Sequence, residues 1–280
     1  MLINCKGSLI DLKQPRIMGI INVTPDSFYD GGHLKNDFEV LSQVEKHLTN
    51  GATFIDLGGY SSRPGATFVD ENEECKRVVP IVELILKNFP DARLSIDTFR
   101  SQIADKCLEI GATMINDISA GIDDENMFNI IAKHQVPYVM MHKRGHAHTM
   151  QGMTIYDNLI KNIASYFSER INLARQKNIN DIILDVGFGF AKTLEQNFEL
   201  LQGHSFFITF ELPLLVGISR KSMIYKALDT DAKYSLNGTT FLHAYALQNG
   251  ANILRVHDVK EAQECIKLFE KIQYMNSVKY

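Results

Sequence analysis

The sequence predicts an α/β fold, a (β/α)8 TIM barrel with a short N-terminal hairpin, and three observations carry the prediction. Eight short apolar runs alternate with helical periodicities along the 280 residues. Strands separated by helices pair in parallel, because each crossover must return the chain to the same edge. Eight such units in about 250 residues are what a closed barrel uses. An open doubly wound sheet is the rival architecture. No Pro/Ser-rich linker or low-complexity tract interrupts the chain, so we expect one domain over 1–280, with the hairpin in 1–15 and the barrel in 16–275.

Residues 2–12 alternate around Lys6-Gly7 and read as a hairpin. The first barrel strand is 17–23, a β-branched run ending near Asn22. It empties into Thr24-Pro25-Asp26-Ser27, a turn in which Pro presets φ while Asp and Ser hydrogen-bond their own backbone. Phe28, Tyr29, Asp30 and a Gly31-Gly32 hinge follow. Phe38, Val40, Leu41, Val44 and Leu48 then keep helical spacing up to Asn50-Gly51. The second strand, 53–57, opens into Gly58-Gly59-Tyr60-Ser61-Ser62-Arg63-Pro64-Gly65. A helix at 73–89 leads to a strand at 94–97, a helix at 101–110 to one at 113–117, and a helix at 125–134 to one at 138–142. After a long helix over 156–177, the strand 181–185 precedes Gly187-Phe188-Gly189-Phe190 and a helix from 193. The strand 214–218 precedes Ser219-Arg220-Lys221-Ser222 and a helix at 238–248. The last strand, 252–257, is followed by a helix over 259–274.

The net charge of −4 gives no basic footprint for nucleic acid. No run of about 18 apolar residues spans a bilayer. The first residues lack the basic-then-apolar layout of a signal peptide. The four cysteines, Cys5, Cys75, Cys107 and Cys265, are scattered without CxxC spacing, which suits a reducing cytoplasm.

The polar residues are biased in position. Asn22, Asp56, Asp97, Asn116, Asp117, His142, Asp185, Lys221, Arg255 and His257 all stand at or just past the C-terminal ends of predicted strands. In a barrel those ends meet at one mouth, where barrel enzymes put their chemistry. Any one of them could be satisfied by backbone. As a set they include carboxylates and cations that are costly to bury unless paired or liganded. Asp97, Asn116 and Asp185 are mainly acceptors and suit a flat donor-rich heterocycle. Arg63, Lys221, Arg255 and His257 are donors and suit an anion. Asn22, beside Asp26 or Asp30, suits Mg2+, which takes few protein oxygens and shares substrate phosphates. His142, His146 and His148 lack Cys or carboxylate partners, which argues against zinc. His33 and His243 read as ordinary surface or core histidines, and Ser219 and Ser222 have no evident base. The glycines of 187–190 serve a tight strand-to-helix turn better than a phosphate loop.

Eight segments, in order and each at a strand end, resemble the dihydropteroate synthase family of pterin-binding barrels. They are GIINVTPDSFYDGG (19–32), GGYSSRPGA (58–66), SIDT (95–98), INDI (115–118), MMHKRG (140–145), DVGFGFAK (185–192), LLVGISRKS (214–222) and LRVHDV (254–259). The resemblance runs from about 3 to 272. It implies condensation of a dihydropterin-methyl diphosphate with p-aminobenzoate in folate biosynthesis, in a family that sulfonamides target. Carried over by motif, it assigns Asp97, Asn116, Asp185 and Lys221 to the pterin, Arg255 and His257 to the diphosphate, Ser62 to the same site, and Asn22 to Mg2+. It frames p-aminobenzoate with Phe28, Ser62, Arg63, Pro64, Phe190, Lys221 and Ser222, with Asp97 and Lys221 as catalytic residues. It also implies a homodimer through barrel helices. In many members the second motif reads GGEST, so Tyr60 removes a carboxylate. Val186 stands where Pro is usual, and Ala191 where Gly is. Two alternatives share the acidic pterin end: a methyltetrahydrofolate–corrinoid methyltransferase, and a non-catalytic pterin-binding paralogue.

Overall fold

Lys6 and Gly7 both take positive φ, 49° and 88°, as a two-residue hairpin turn with the right-handed strand twist requires. They join β1 (Leu2–Cys5) to β2 (Ser8–Asp11). The structure is a computed structural model and describes residues 1–23, 32–59, 69–145, 149 and 152–278.

Eight parallel strands follow: β3 (Arg16–Asn22), β4 (Phe54–Gly58), β5 (Leu94–Asp97), β6 (Met114–Asp117), β7 (Tyr138–Met141), β8 (Ile182–Asp185), β9 (Leu214–Val216) and β10 (Ile253–Val256). They close in the order β10-β3-β4-β5-β6-β7-β8-β9, so the barrel and not the open sheet is realised. The outer ring is built from α1 (Gly32–Thr49), α2 (Glu71–Asn88), α3 (Ser101–Ile110), α4 (Met127–His134), α5 (Leu159–Gln176), α6 (Leu194–Gln202), α7 (Ser222–Ala227), α8 (Leu236–Gln248) and α9 (Val259–Val278). Local signals set several helix starts. Asp70 caps α2 by accepting from Glu73 N, Asn158 caps α5 from Lys161 N, and Thr193 and Gln196 form a reciprocal capping box on α6.

α1 begins earlier than its apolar spacing predicts, because the polar stretch ahead of Phe38 carries no periodic signal. Gly32, expected in a hinge, therefore opens a helix instead. α7 and the 3-10 turns His204–Phe210 and Ala232–Tyr234 are too short to show a period.

Strand side chains alternate between the barrel interior and the helix layer. Met18, Phe54, Met114, Val139, Ile183, Leu215 and Ile253 fill the lower interior and pack with Ile3, Cys5, Ile10 and Leu12 of the hairpin segment. The hairpin thus plugs the N-terminal end of the barrel. The opposite strand faces bury a much larger core against the helices, which is why the strands are buried on both sides. No helix among the described residues is long and apolar enough to cross a membrane.

Candidate active site

Two residues on from the apolar floor, each strand returns its side chain to the interior one layer higher. From Phe54 that step reaches Asp56, from Met114 Asn116, from Ile183 Asp185, and from Ile253 Arg255. The same parity puts Ser95 and Asp97 inside. Asp56 is the hub of this layer and is fully buried. Its Oδ1 accepts from Ser95 Oγ at 2.6 Å, and its Oδ2 accepts from Asn116 Nδ2 at 3.0 Å and Arg255 Nε at 2.6 Å. Arg255 Nη2 donates to Asp97 Oδ2 at 2.6 Å, so one guanidinium bridges two carboxylates. Burial favours the neutral form of Asp97 and, despite Arg255, its pKa is pushed up to about 7, with Asp56 adding like-charge repulsion. Burial alone would lower Arg255, but Asp56 and Asp97 hold it above its ordinary value. Asp56 was legible as a strand-end acid but not as the hub, which the two-residue step from Phe54 reveals.

Asp185 and Lys221 form the opposite wall. Burial raises the Asp185 pKa against the pull of Lys221, and lowers that of Lys221 to about 8 against the pull of Asp185. Asp185 Oδ1 accepts from Gly187 N at 2.8 Å. Lys221 Nζ donates to Phe188 O at 2.6 Å and lies 4.8 Å from the Phe190 ring centroid. Gly217 lies between the two groups: a Cβ there would stand in ordinary contact, 3.8 Å from Asp185 Oδ2 and 3.9 Å from Lys221 Nζ. The turn after β8 needs its glycines as expected: Gly187 has φ +72°, and a Cβ on it would meet His142 O at 2.0 Å. Lys192 is a site neighbour that sequence reasoning passed over. Its buried Nζ contacts Gly187 O, Phe190 O and His142 Nδ1 at 2.8, 3.0 and 3.2 Å.

At the upper rim, Ser219 Oγ stands 3.1 Å from His257 Nδ1 and accepts from His257 N at 3.2 Å. The sequence showed no base near Ser219, and the strand pairing of β9 with β10 supplies an imidazole. Buried and doubly engaged, the hydroxyl orients that ring. Arg220, at φ +54°, makes a bidentate pair with Asp258 through Nε and Nη2 at 2.7 and 2.8 Å. This pair ties the segment carrying Lys221 and Ser222 to the one carrying His257. Asn22 is exposed at the end of β3, in register with Gly58 of β4.

Two residues of the strand-end set do not face the mouth. Asp117 and His142 have the opposite parity. Asp117 accepts from Tyr138 Oη, Ser119 N, Ser119 Oγ and Gly121 N, a structural role with every oxygen engaged. His142 packs behind β7 against Tyr166, and its Nδ1 faces Lys192. Phe28, Ser62, Arg63, Pro64, Asp26, Asp30, Tyr60, His146 and His148 lie outside the described residues, as does the turn from Thr24 to Gly31. No group of three or more potential metal-ligating His, Cys, Asp or Glu side chains occurs among the described residues.

The arrangement is a set of acceptors faced by cationic groups at the barrel mouth, chemically suited to a polar ring carrying an anion. Comparison with known proteins shows the family. Residues 18–257 match the family model described as pterin binding enzyme. The chain is 39% identical over 267 residues to the dihydropteroate synthase of Escherichia coli K12, covering 95% of this chain and 94% of that protein. It is 41% identical over 263 residues to that of Synechocystis, covering 93% and 91%. Among solved structures, the Yersinia pestis dihydropteroate synthase in complex with a sulfonamide drug superposes with TM-score 0.91 at 40% identity, over 98% of this chain and all of that one. The Xanthomonas albilineans dihydropteroate synthase with 4-aminobenzoic acid gives 0.90 at 33% identity, over 97% and 98%.

Proposed function

The chain belongs to the dihydropteroate synthases, the pterin-binding transferases of folate biosynthesis, and from that premise we propose how its own residues join dihydropterin-methyl diphosphate to p-aminobenzoate. The observation that carries the proposal is the single guanidinium of Arg255 held between Asp56 and Asp97, opposite Asp185 and Lys221.

Asp97, Asn116 and Asp185 take the donor edge of the pterin, each at a fixed height on its strand. Arg255 and His257 face the diphosphate. Arg255 commits Nε and Nη2 to carboxylates and has Nη1 without a hydrogen-bond partner among the described residues. Lys221 and Phe190 wall the arylamine, together with Ser222 at the start of α7 and with Phe28, Ser62, Arg63 and Pro64. As the carbon–oxygen bond to diphosphate lengthens, the pterin methylene gains positive charge. Ionised Asp97 stabilises that charge from a low-dielectric wall. The neutral arylamine then attacks the methylene carbon, its nitrogen loses a proton to solvent, and diphosphate leaves with the bonding pair. No protein nucleophile is consumed.

Asn22 offers one exposed carboxamide oxygen at the mouth. That suits Mg2+ held mainly by substrate oxygens and water, not by a protein cage. When bound, the ion neutralises charge on the departing diphosphate. We also propose a homodimer through the α8–α9 face, where Phe241, Leu268, Ile272 and Tyr274 are 60–69% exposed. A cytoplasmic location fits four free cysteines, three of them buried.

The test is diphosphate release measured with and without p-aminobenzoate and Mg2+, in the wild type and in Asp97→Asn. We expect release to need both additions. Asp97→Asn should cut turnover at least tenfold, about 1.4 kcal/mol of transition-state stabilisation, and by far more than it weakens pterin affinity. Turnover equal to wild type in Asp97→Asn overturns the role of Asp97.

A further inference from the structure

We propose that Lys192 is a positioning residue for the arylamine half-site, a buried strut that fixes the Phe190 wall from behind. The inference rests on the assignment of Phe190 to p-aminobenzoate made above. Lys192 is 9% exposed, and its ammonium has three N–H donors facing three acceptors: Gly187 O, Phe190 O and His142 Nδ1. Nδ1 of His142 therefore accepts and its proton sits on Nε2. Burial, with Lys192 alongside, keeps that ring neutral.

The match matters because of what the turn is made of. Gly187, Gly189 and Ala191 all have positive φ, at 72°, 81° and 50°, so the segment makes no regular ladder that would hold it. Its other ties are single bonds: Gly187 N to Asp185 Oδ1 and Phe190 N to Gly187 O within the turn, Lys221 to Phe188 O, Gly189 N to Asn197 Oδ1, and Tyr156 to Ala191 O. Lys192 alone bonds the turn at two carbonyls, one on either side of Phe188 and Gly189. It also ties the turn to the end of β7. Asp185, by contrast, is held on β8 by its pairing with β7 and β9. Loss of Lys192 should therefore displace Phe190 and leave the pterin contacts largely in place.

The Lys192 pKa is lowered to about 7, chiefly by burial, with Asp185 opposing and Lys221 and Arg144 adding like charge.

The experiment compares Lys192→Met, Lys192→Arg and Phe190→Ala in the full-length protein, with KM for p-aminobenzoate, kcat, pterin diphosphate affinity by calorimetry, and Tm. We expect Phe190→Ala and Lys192→Met each to raise the p-aminobenzoate KM about tenfold, with pterin affinity changed less than about twofold. Lys192→Arg, which keeps the cation, should recover part of the loss. If Phe190→Ala raises KM and Lys192→Met lowers only Tm, the positioning role is overturned. If neither variant moves KM, the assignment of Phe190 fails and the inference falls with it. If Lys192→Met does not fold, Lys192→Arg decides alone: a p-aminobenzoate KM still raised at full pterin affinity supports the strut, and an unchanged KM, or pterin affinity falling in step with KM, overturns it.

Discussion

Replacing Asp56 by Asn probes the shared guanidinium most directly, because the change removes a charge at nearly constant shape. Asp56 receives three donors and sees no solvent. An asparagine supplies one carbonyl oxygen, which can keep Asn116 and Arg255, while its amide turns towards Ser95, whose hydroxyl can rotate to accept. The loss is then the charge-assisted part of the Arg255 bond, about 1.5–3 kcal/mol. Thermal unfolding should drop by roughly 4–10 °C for a domain of this size. The effect on Asp97 runs the other way. Asp56 is a like charge that raises the Asp97 pKa, and without it Arg255 serves Asp97 alone, so the midpoint should fall from about 7 by on the order of one unit, about 1.4 kcal/mol.

The stability linkage follows from the same shift. A carboxyl whose folded pKa is raised binds more protons when folded, so this group's contribution falls as pH rises from 3.8 to about 7. The variant narrows that window. The assay is an NMR pH titration of the Asp97 carboxyl carbon in Asp-labelled protein, beside urea unfolding at several pH values. A midpoint that stays put or rises would mean that Arg255 is not divided between the two acids, and the reading of the upper layer would be wrong.

Three other perturbations test separate parts of the structure. His243 is 2% exposed with Nε2 unpartnered among the described residues, and burial lowers its pKa from 6.5 to about 4. The unfolded chain takes up that proton first as pH falls through this window, costing at most about 3 kcal/mol, and His243→Leu should flatten the loss of urea midpoint between pH 7 and 4.5. Gly187→Ala places a methyl 2.0 Å from the backbone oxygen of His142 at φ +72°, so we expect a destabilisation of about 3 kcal/mol or more and a weaker p-aminobenzoate KM, read by calorimetry and kinetics. Leu12→Ala hollows the plug under the barrel and should cost about 2–5 kcal/mol in urea unfolding with kcat nearly unchanged, whereas a neutral result would show the hairpin to be dispensable.

The barrel was legible because its strands are apolar runs cut to length by Gly, Pro and Asn, and because polar residues crowd one end of each. Which of those residues face inward was also present in the sequence, as an apolar residue followed two places later by a polar one: Phe54 and Asp56, Met114 and Asn116, Ile183 and Asp185, Ile253 and Arg255. The strand-end rule alone admitted Asp117 and His142, whose parity is opposite. The division of Arg255 between Asp56 and Asp97 was not readable. It depends on closure bringing groups 199 and 158 residues apart into contact. Lys192 and Arg220 were missed for a related reason, since a lone cation beside a turn carries no local mark of the carbonyls or carboxylate it will meet.

The plug formed by the N-terminal hairpin has one more consequence. A barrel stoppered at its base is a blind well, and traffic through a blind well obeys the rule of a stack: last in, first out. On the proposed assignments the pterin lies deepest, against the layer of Asp56 and Asp185, while diphosphate and arylamine lie nearer the opening. On those assignments the ring is expected to enter before the arylamine, an order that initial-rate kinetics with both substrates varied would test. The closed base that makes the well blind is shared between the apolar floor of the strands and four residues of the hairpin segment, Ile3, Cys5, Ile10 and Leu12.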